Sequence, residues 1–374
     1  MALDPTTIRL PPALIPGDGR FGSGPSKVRD EAVARLSDAA HGYLGTSHRR
    51  EGVRSVVRRA REGLTDLYSL PDGYEVLLGN GGTSAFWDAA AFGLIERRSQ
   101  HLSFGEFSAR FAGVTADAPF LEDPEVVESP PGTHPEAHAN PDVDAYALTH
   151  NETSTGVMMD ITRPEGTEGL VLVDATSAAG GLRVDPTHCD VYYFAPQKAF
   201  GSDGGLWLAL CSPAAIERIE RVGASGRWTP ASLSLPLALA NSLLDQTYNT
   251  PGLSTLFLLV DTLEWMLAHG GLEWAAGRGD QNAELIYGWA EASRVATPFV
   301  ARPAERSHVT ATIDFEGVDA AAIAAALRAN GLLDTEPYRK LGRNQLRIAL
   351  FPAVELEDLG TLTRAIDYVI EALA

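Results

Sequence analysis

The chain has 374 residues, enough for two domains, and its 45% hydrophobic and 21% charged residues are an ordinary globular composition. Lys and Arg number 30 against 49 Asp and Glu, a formal net charge of −19, which is the wrong long-range field for binding nucleic acid or an anionic membrane. Two cysteines, no apolar stretch of membrane-spanning length and an N-terminus without basic and apolar leader regions point to a soluble, cytoplasmic chain.

In chain order, residues 1–20 are rich in proline and glycine and read as an extended arm. Residues 51–69 read as an amphipathic helix, with Val53, Val56, Val57, Ala60, Leu64 and Leu67 on one face. Arg54, Arg58, Arg59 and Arg61 fall elsewhere and are expected to form a solvated face. Strands are predicted at Glu75–Leu78, His101–Phe104, Tyr146–Thr149, Leu170–Val173, Val191–Phe194 and Leu206–Leu210. Runs apolar at successive positions suit strands buried on both faces of a mostly parallel sheet. Residues 120–145, rich in Pro, Glu and Asp, read as a solvated connection. A long apolar helix over Leu253–His269 ends this rhythm. Beyond it come helix, strand (His308–Phe315), helix (Val318–Asn330), strand (Gln345–Leu350) and helix (Leu356–Leu373). The expectation is an arm (1–20), a large α/β domain (21–268) and a smaller α+β domain (269–374).

Phe21-Gly22-Ser23-Gly24-Pro25-Ser26-Lys27 is glycine-rich but lacks the third glycine of a dinucleotide loop and the Gly-Lys-Ser/Thr of a P-loop. His188-Cys189-Asp190 alternates between strand faces, so no metal site is expected there. Gly79-Asn80-Gly81-Gly82-Thr83-Ser84 is more informative. It lies between a strand and a helix, and free amides, the helix dipole and Thr/Ser caps would make an anion site. Lys198, in Ala195-Pro196-Gln197-Lys198-Ala199-Phe200-Gly201, follows a buried strand in an apolar setting and is a candidate for a lowered pKa and Schiff-base chemistry. Asp174 ends the strand Leu170–Val173, where a carboxylate faces the ligand crevice. A lysine, an acid for a pyridine nitrogen and an anion loop are the set that pyridoxal phosphate requires.

His150-Asn151-Glu152-Thr153-Ser154-Thr155-Gly156, Asp174-Ala175-Thr176-Ser177-Ala178-Ala179-Gly180 and Gln197-Lys198 resemble the class V branch of the fold-type I pyridoxal phosphate enzymes. Within that branch, Phe21-Gly22-Ser23-Gly24-Pro25, Thr46-Ser47-His48-Arg49, Asn249-Thr250-Pro251 and Leu346-Arg347-Ile348-Ala349 are similar to the aminotransferases that form O-phosphoserine. The resemblance spans essentially the whole chain. It implies a homodimer with shared active sites that moves an amino group between glutamate and 3-phosphohydroxypyruvate. It implies Lys198 as Schiff-base lysine and proton shuttle, Asp174 at the pyridinium and Thr153 at the ring hydroxyl. Gln197, Thr83 and Ser84 would hold the cofactor phosphate, with Asn249 and Thr250 supplied by the second subunit. Phe107 would stack on the ring, with Phe104 as the alternative. Arg347 would bind the substrate α-carboxylate, and His48 with Arg49 its distal anion. Arg339 matches a further phosphate-binding arginine, although the choice among Arg339, Lys340 and Arg343 stays open, as does use of a phosphorylated threonine analogue. A cysteine desulfurase is excluded, since no cysteine follows Cys211. The runner-up is an aminotransferase of the serine–pyruvate or alanine–glyoxylate type. A non-catalytic metabolite-binding protein would not require Lys198, Asp174 and the anion loop together.

Overall fold

Strands that are apolar at every position need cover on both faces, and the fold provides it. The computed structural model describes residues 3–374, so the first two residues of the expected arm lie outside the described residues. The helices are α1 (Asp30–Tyr43), α2 (Glu51–Tyr68), α3 (Gly82–Gly93), α4 (Glu106–Ala116), α5 (Pro213–Ala224), α6 (Leu235–Ser242), α7 (Leu253–His269), α8 (Gly271–Ala292), α9 (Ala320–Ala329) and α10 (Leu356–Leu373). The strands are β1 (Glu75–Asn80), β2 (Ser99–Ser103), β3 (Glu125–Glu128), β4 (Ala145–Thr149), β5 (Asn151–Glu152), β6 (Val157–Met158), β7 (Leu170–Asp174), β8 (Val191–Phe194), β9 (Leu206–Cys211), β10 (Ala296–Pro298), β11 (Thr310–Phe315) and β12 (Gln345–Ala349).

Seven strands form one sheet in the order β1-β9-β8-β7-β4-β2-β3. Neighbours are parallel except at β9, which is antiparallel to both β1 and β8. Val171 and Val173 of β7 face a hydrophobic cluster shared with α2 and α7, while Leu170 and Leu172 face a second one with α3, α5 and α6. This is the α/β architecture that the apolar runs imply. β10, β11 and β12 make a separate antiparallel sheet. The first hydrophobic cluster continues without a break into that sheet and onto α9 and α10. A sharp turn at Gly270, with φ 121°, joins α7 to α8.

The structure departs from expectation in three places. The stretch 120–145 is not all loop: β3 pairs in parallel with β2, and Gln100 donates to Glu125 at 2.8 Å. A half-exposed edge strand bounded by glutamates carries little apolar signal. The arginines of α2 are not a free solvated row either. Arg58 and Arg61 both bind Asp245, Arg61 also binds Glu75, and Arg59 binds Glu264 of α7. Arg58 and Arg61 pin the helix to the loop before residue 250, and Arg59 pins it to α7. Finally, the arm contains two short 3₁₀ turns and buries Ile8 and Leu10. The Leu10 amide donates to the Asn330 side chain at 3.0 Å, so the arm is packed against the C-terminal layer.

Candidate active site

Because β9 runs antiparallel between β1 and β8, three chain segments meet at one sheet edge beside the ends of β4 and β7. They are the loop after β1, the loop after β8 and the start of β9. The Gly81 amide donates to the Gly205 carbonyl at 2.9 Å, which ties the two loops together. Gly81 holds a left-handed φ of 112° and starts α3 with no side-chain cap. Thr83 and Ser84 therefore sit inside the first helical turn rather than capping it, contrary to expectation. The amides of that turn have no intrahelical partners and line a cavity of about 410 Å³, a size suited to a small molecule.

Asp174, at the end of β7, lines the same cavity. One carboxylate oxygen accepts from the Thr176 amide (2.9 Å) and hydroxyl (2.6 Å), and the other accepts from the Trp87 indole at 3.1 Å. Burial pushes its pKa up to about 6, against the pull of the Thr176 and Trp87 hydrogen bonds.

Lys198 follows β8 and is buried. Its Nζ donates to the Ser23 carbonyl at 2.8 Å. Burial, reinforced by the Arg347 guanidinium, lowers its pKa to about 8, with Asp174 and Glu152 opposing. A Cβ on Gly24 would stand 2.1 Å from that Nζ, and Gly24 has φ 133°, so only glycine fits. The segment Ser23–Pro25, which carries no phosphate-loop motif, is thus a wall of the lysine site.

Phe107, at the start of α4, lines this cavity with its ring centroid 6.0 Å from Lys198 Nζ. Phe104 is fully buried and turned toward His134, which separates the two candidates for a ring-stacking aromatic. Thr153 and Gln197 also line it. The Thr153 hydroxyl donates to Ser177 at 2.8 Å, and Gln197 Oε1 is buried without a partner.

A second cavity shares Gly24 and Pro25 with the first and is lined by Arg339 and Arg347. Arg347 lies on β12, its guanidinium 5.5 Å from the Tyr338 ring, and Nε is buried without a partner. Burial lowers its pKa. Among the described residues it has no carboxylate partner. Arg339 is exposed at the rim, whereas Lys340 pairs with Glu106 and Arg343 with Asp314.

His48, Arg49, Asn249 and Thr250 do not line either cavity. His48 Nδ1 and the Thr250 hydroxyl are 3.0 Å apart, and Arg49, Asn249 and Thr250 are exposed. Residues of the site that sequence reasoning did not single out are Trp87, Thr176, Glu152 and Tyr338. Trp87 lies one helical turn after Thr83, on the same face, and Thr176 sits two positions after Asp174 in an Asp-x-Thr turn. Either spacing could have flagged them.

A family model described as aminotransferase class V matches residues 124–333. The chain belongs to the class-V aminotransferases, which depend on pyridoxal phosphate. Similar proteins include a putative phosphoserine aminotransferase of Mycobacterium leprae, 57% identical over 98% of both chains. Another is the phosphoserine aminotransferase of Rhodococcus jostii, 56% identical over 97% of this chain and 98% of that one. A solved phosphoserine aminotransferase from Cytophaga hutchinsonii superposes with a TM-score of 0.86 at 25% identity, covering 94% of this chain and 99% of its own. Within the class, the chain belongs to the phosphoserine aminotransferase family.

The residues present fit the class cofactor. The uncapped first turn of α3 and the orphaned Gln197 Oε1 lie along one cavity with a buried carboxylate and a buried amine. A phosphate, a pyridinium and an aldehyde are the three groups that this donor set complements.

Proposed function

We propose that the chain transfers the amino group of glutamate to 3-phosphohydroxypyruvate, giving 2-oxoglutarate and O-phospho-L-serine, in the cytoplasm and as a homodimer. The observation that carries this reading is the adjacency of Lys198 and Asp174 in one cavity to Arg347, an arginine without a carboxylate partner among the described residues, in the next.

Bound pyridoxal phosphate supplies the electron sink that makes the substrate Cα–H acidic. Lys198 Nζ would hold the cofactor covalently and, once free, would be the base for the Cα proton. An amine titrating near 8 is suited to both roles near neutral pH. Asp174 would present a carboxylate to the ring nitrogen, Thr153 would hold the ring hydroxyl and Phe107 would cover the ring face. The first turn of α3, with Thr83, Ser84 and Gln197, holds the phosphate. Arg347 binds the substrate α-carboxylate through its planar fork. Arg339 takes the distal anion, a reading supported by the engagement of Lys340 and Arg343 elsewhere.

His48, Arg49, Asn249 and Thr250 complete the site of a second copy. They share a surface with the exposed apolar side chains Leu44, Leu243, Leu244 and Tyr248, which supports burial of this patch in a dimer. A serine–pyruvate or alanine–glyoxylate activity would leave these cations and Arg339 without a distal anion to bind.

The test is a donor and acceptor screen on the purified holoenzyme. Glutamate with 3-phosphohydroxypyruvate is expected to give the highest kcat/KM, with the 2-oxo acid corresponding to the phosphorylated threonine analogue as a second acceptor to be read in the same assay. Faster turnover with alanine and glyoxylate would overturn the assignment.

A further inference from the structure

Helix α4 begins beside the cofactor cavity and carries Phe107 in its first turn. Its N-cap position is Gly105, which has no side chain to satisfy the leading amides. Those amides turn instead to the end of β5 and the loop that follows it. Glu106 N donates to Ser154 Oγ at 3.0 Å. Phe107 N and Ser108 N donate to Glu152 Oε2 at 3.1 and 2.9 Å, and Ser108 Oγ lies 3.0 Å from the same oxygen. The other oxygen, Oε1, accepts from Ser154 N at 3.1 Å and Ser154 Oγ at 2.7 Å.

Glu152 is completely buried, and among the described residues no cation is in ion-pair contact with it, the Lys198 amine feeling its charge only from further away. A buried carboxylate without a counterion is held only by the donors around it, and here three of them are backbone amides that cannot turn away. The contact is close: a Cβ on Gly105 would fall 2.3 Å from Glu152 Cγ. Glycine is required there by this approach, not by its φ.

We infer that Glu152 is a positioning residue, a carboxylate lent by the end of β5 to cap a neighbouring helix so that the Phe107 ring is fixed against the cofactor. The inference rests on the reading of Phe107 as the aromatic against the ring. Glu152 does not line the cofactor cavity, and it acts through the first turn of α4. The loop after β5 holds Thr153, whose carbonyl is 3.5 Å from Arg347 Nη1. The Glu152 carboxylate thus ties the segment that carries Thr153 to the helix that carries Phe107.

The test is a double-mutant cycle on pyridoxal phosphate affinity, measured by titrating the stripped enzyme with the cofactor and by the rate of cofactor loss from the holoenzyme. Glu152→Gln keeps the volume but turns an amide NH₂ toward backbone donors. It is expected to raise the dissociation constant about 10-fold, by loss of charge-assisted hydrogen bonds. In a Phe107→Ala background the same change should cost less than about 2-fold, because the residue it works through is gone. Multiplicative effects, or wild-type affinity in Glu152→Gln, would overturn the inference while leaving the proposed function intact. If Glu152→Gln does not fold, Ser154→Ala removes one partner of Oε1, and the same cycle decides on the same criterion. Unchanged affinity in Phe107→Ala alone would instead overturn the ring-face reading, and this inference with it.

Discussion

Lys198 Nζ donates a hydrogen bond of 2.8 Å to the carbonyl of Ser23, more than a hundred residues earlier in the chain. The neighbouring Gly24 makes this contact possible, since any Cβ there would collide with the amine. Gly24→Ala is therefore expected to displace Lys198 and to strain a backbone position at φ 133°, at a cost of about 1–3 kcal/mol. The check is the visible absorbance of bound cofactor together with Tm. Wild-type absorbance in the variant would show that the wall yields.

Lys198→Ala is expected to abolish turnover while fold and oligomeric state survive, because a cavity lysine contributes chemistry rather than packing. Substantial steady-state transamination without added amine would refute its role. Stability gives a second readout. The folded amine titrates near 8 and the ordinary value is 10.5, so below pH 8 the unfolded chain holds the proton more tightly and the folded, cofactor-free protein carries a penalty. Lys198→Met should then stabilise the stripped protein by about 2 kcal/mol at pH 7, with the gain shrinking as pH rises from 8 toward 10.5. Denaturant melts at three pH values measure it.

On the proposed reading, Asp174 sets the acid limit for cofactor capture. Its folded carboxyl titrates near 6 because burial outweighs its hydrogen bonds, and only the carboxylate pairs with a protonated ring nitrogen. Cofactor affinity of the stripped enzyme should therefore fall as pH drops below 6. Trp87→Phe removes a donor that favours the charged form, so the inflection should move to higher pH. An inflection unchanged by this substitution would mean that the indole contact does not bear on the carboxylate.

The shared-site reading makes a sharper claim. Arg49→Ala should cost about 2–5 kcal/mol in kcat/KM for both glutamate and 3-phosphohydroxypyruvate, and little for alanine, which has no distal anion. Mixing this weakened variant with inactive Lys198→Ala should restore about a quarter of wild-type activity toward 3-phosphohydroxypyruvate, since half the dimers are mixed and each mixed dimer holds one intact site. No recovery after subunit exchange would mean that Arg49 serves its own chain or none.

Much of this arrangement was legible in the sequence, for identifiable reasons. A lysine after the wholly apolar Val191–Phe194, an aspartate closing Leu170–Val173 and glycines between a strand and a helix each break a local pattern, and each lies at the sheet edge. What was not legible depends on contacts distant in the chain. Nothing around Thr83 and Ser84 says that the helix starts at a left-handed Gly81 and leaves both inside its first turn. The reversed direction of β9 has no signature in an all-apolar strand, because alternation is what reveals a face and there is none to read. The arginines of α2 look like solvent charges until the fold brings Asp245 and Glu264 beside them. Likewise, His48 and Thr250 lie far apart in sequence and meet only after α2 packs on the residues before α7.

The pairing of β1 with β9 also sets a timetable for biosynthesis. β1 leaves the ribosome long before residues 206–211, its only hydrogen-bonded strand partner among the described residues. Through that interval the nascent chain carries Val76-Leu77-Leu78 as an unpaired apolar edge, the kind of segment that chaperones cover and that otherwise finds the wrong neighbour. The cofactor loop cannot acquire its Gly81–Gly205 tie until β9 has emerged and reversed direction.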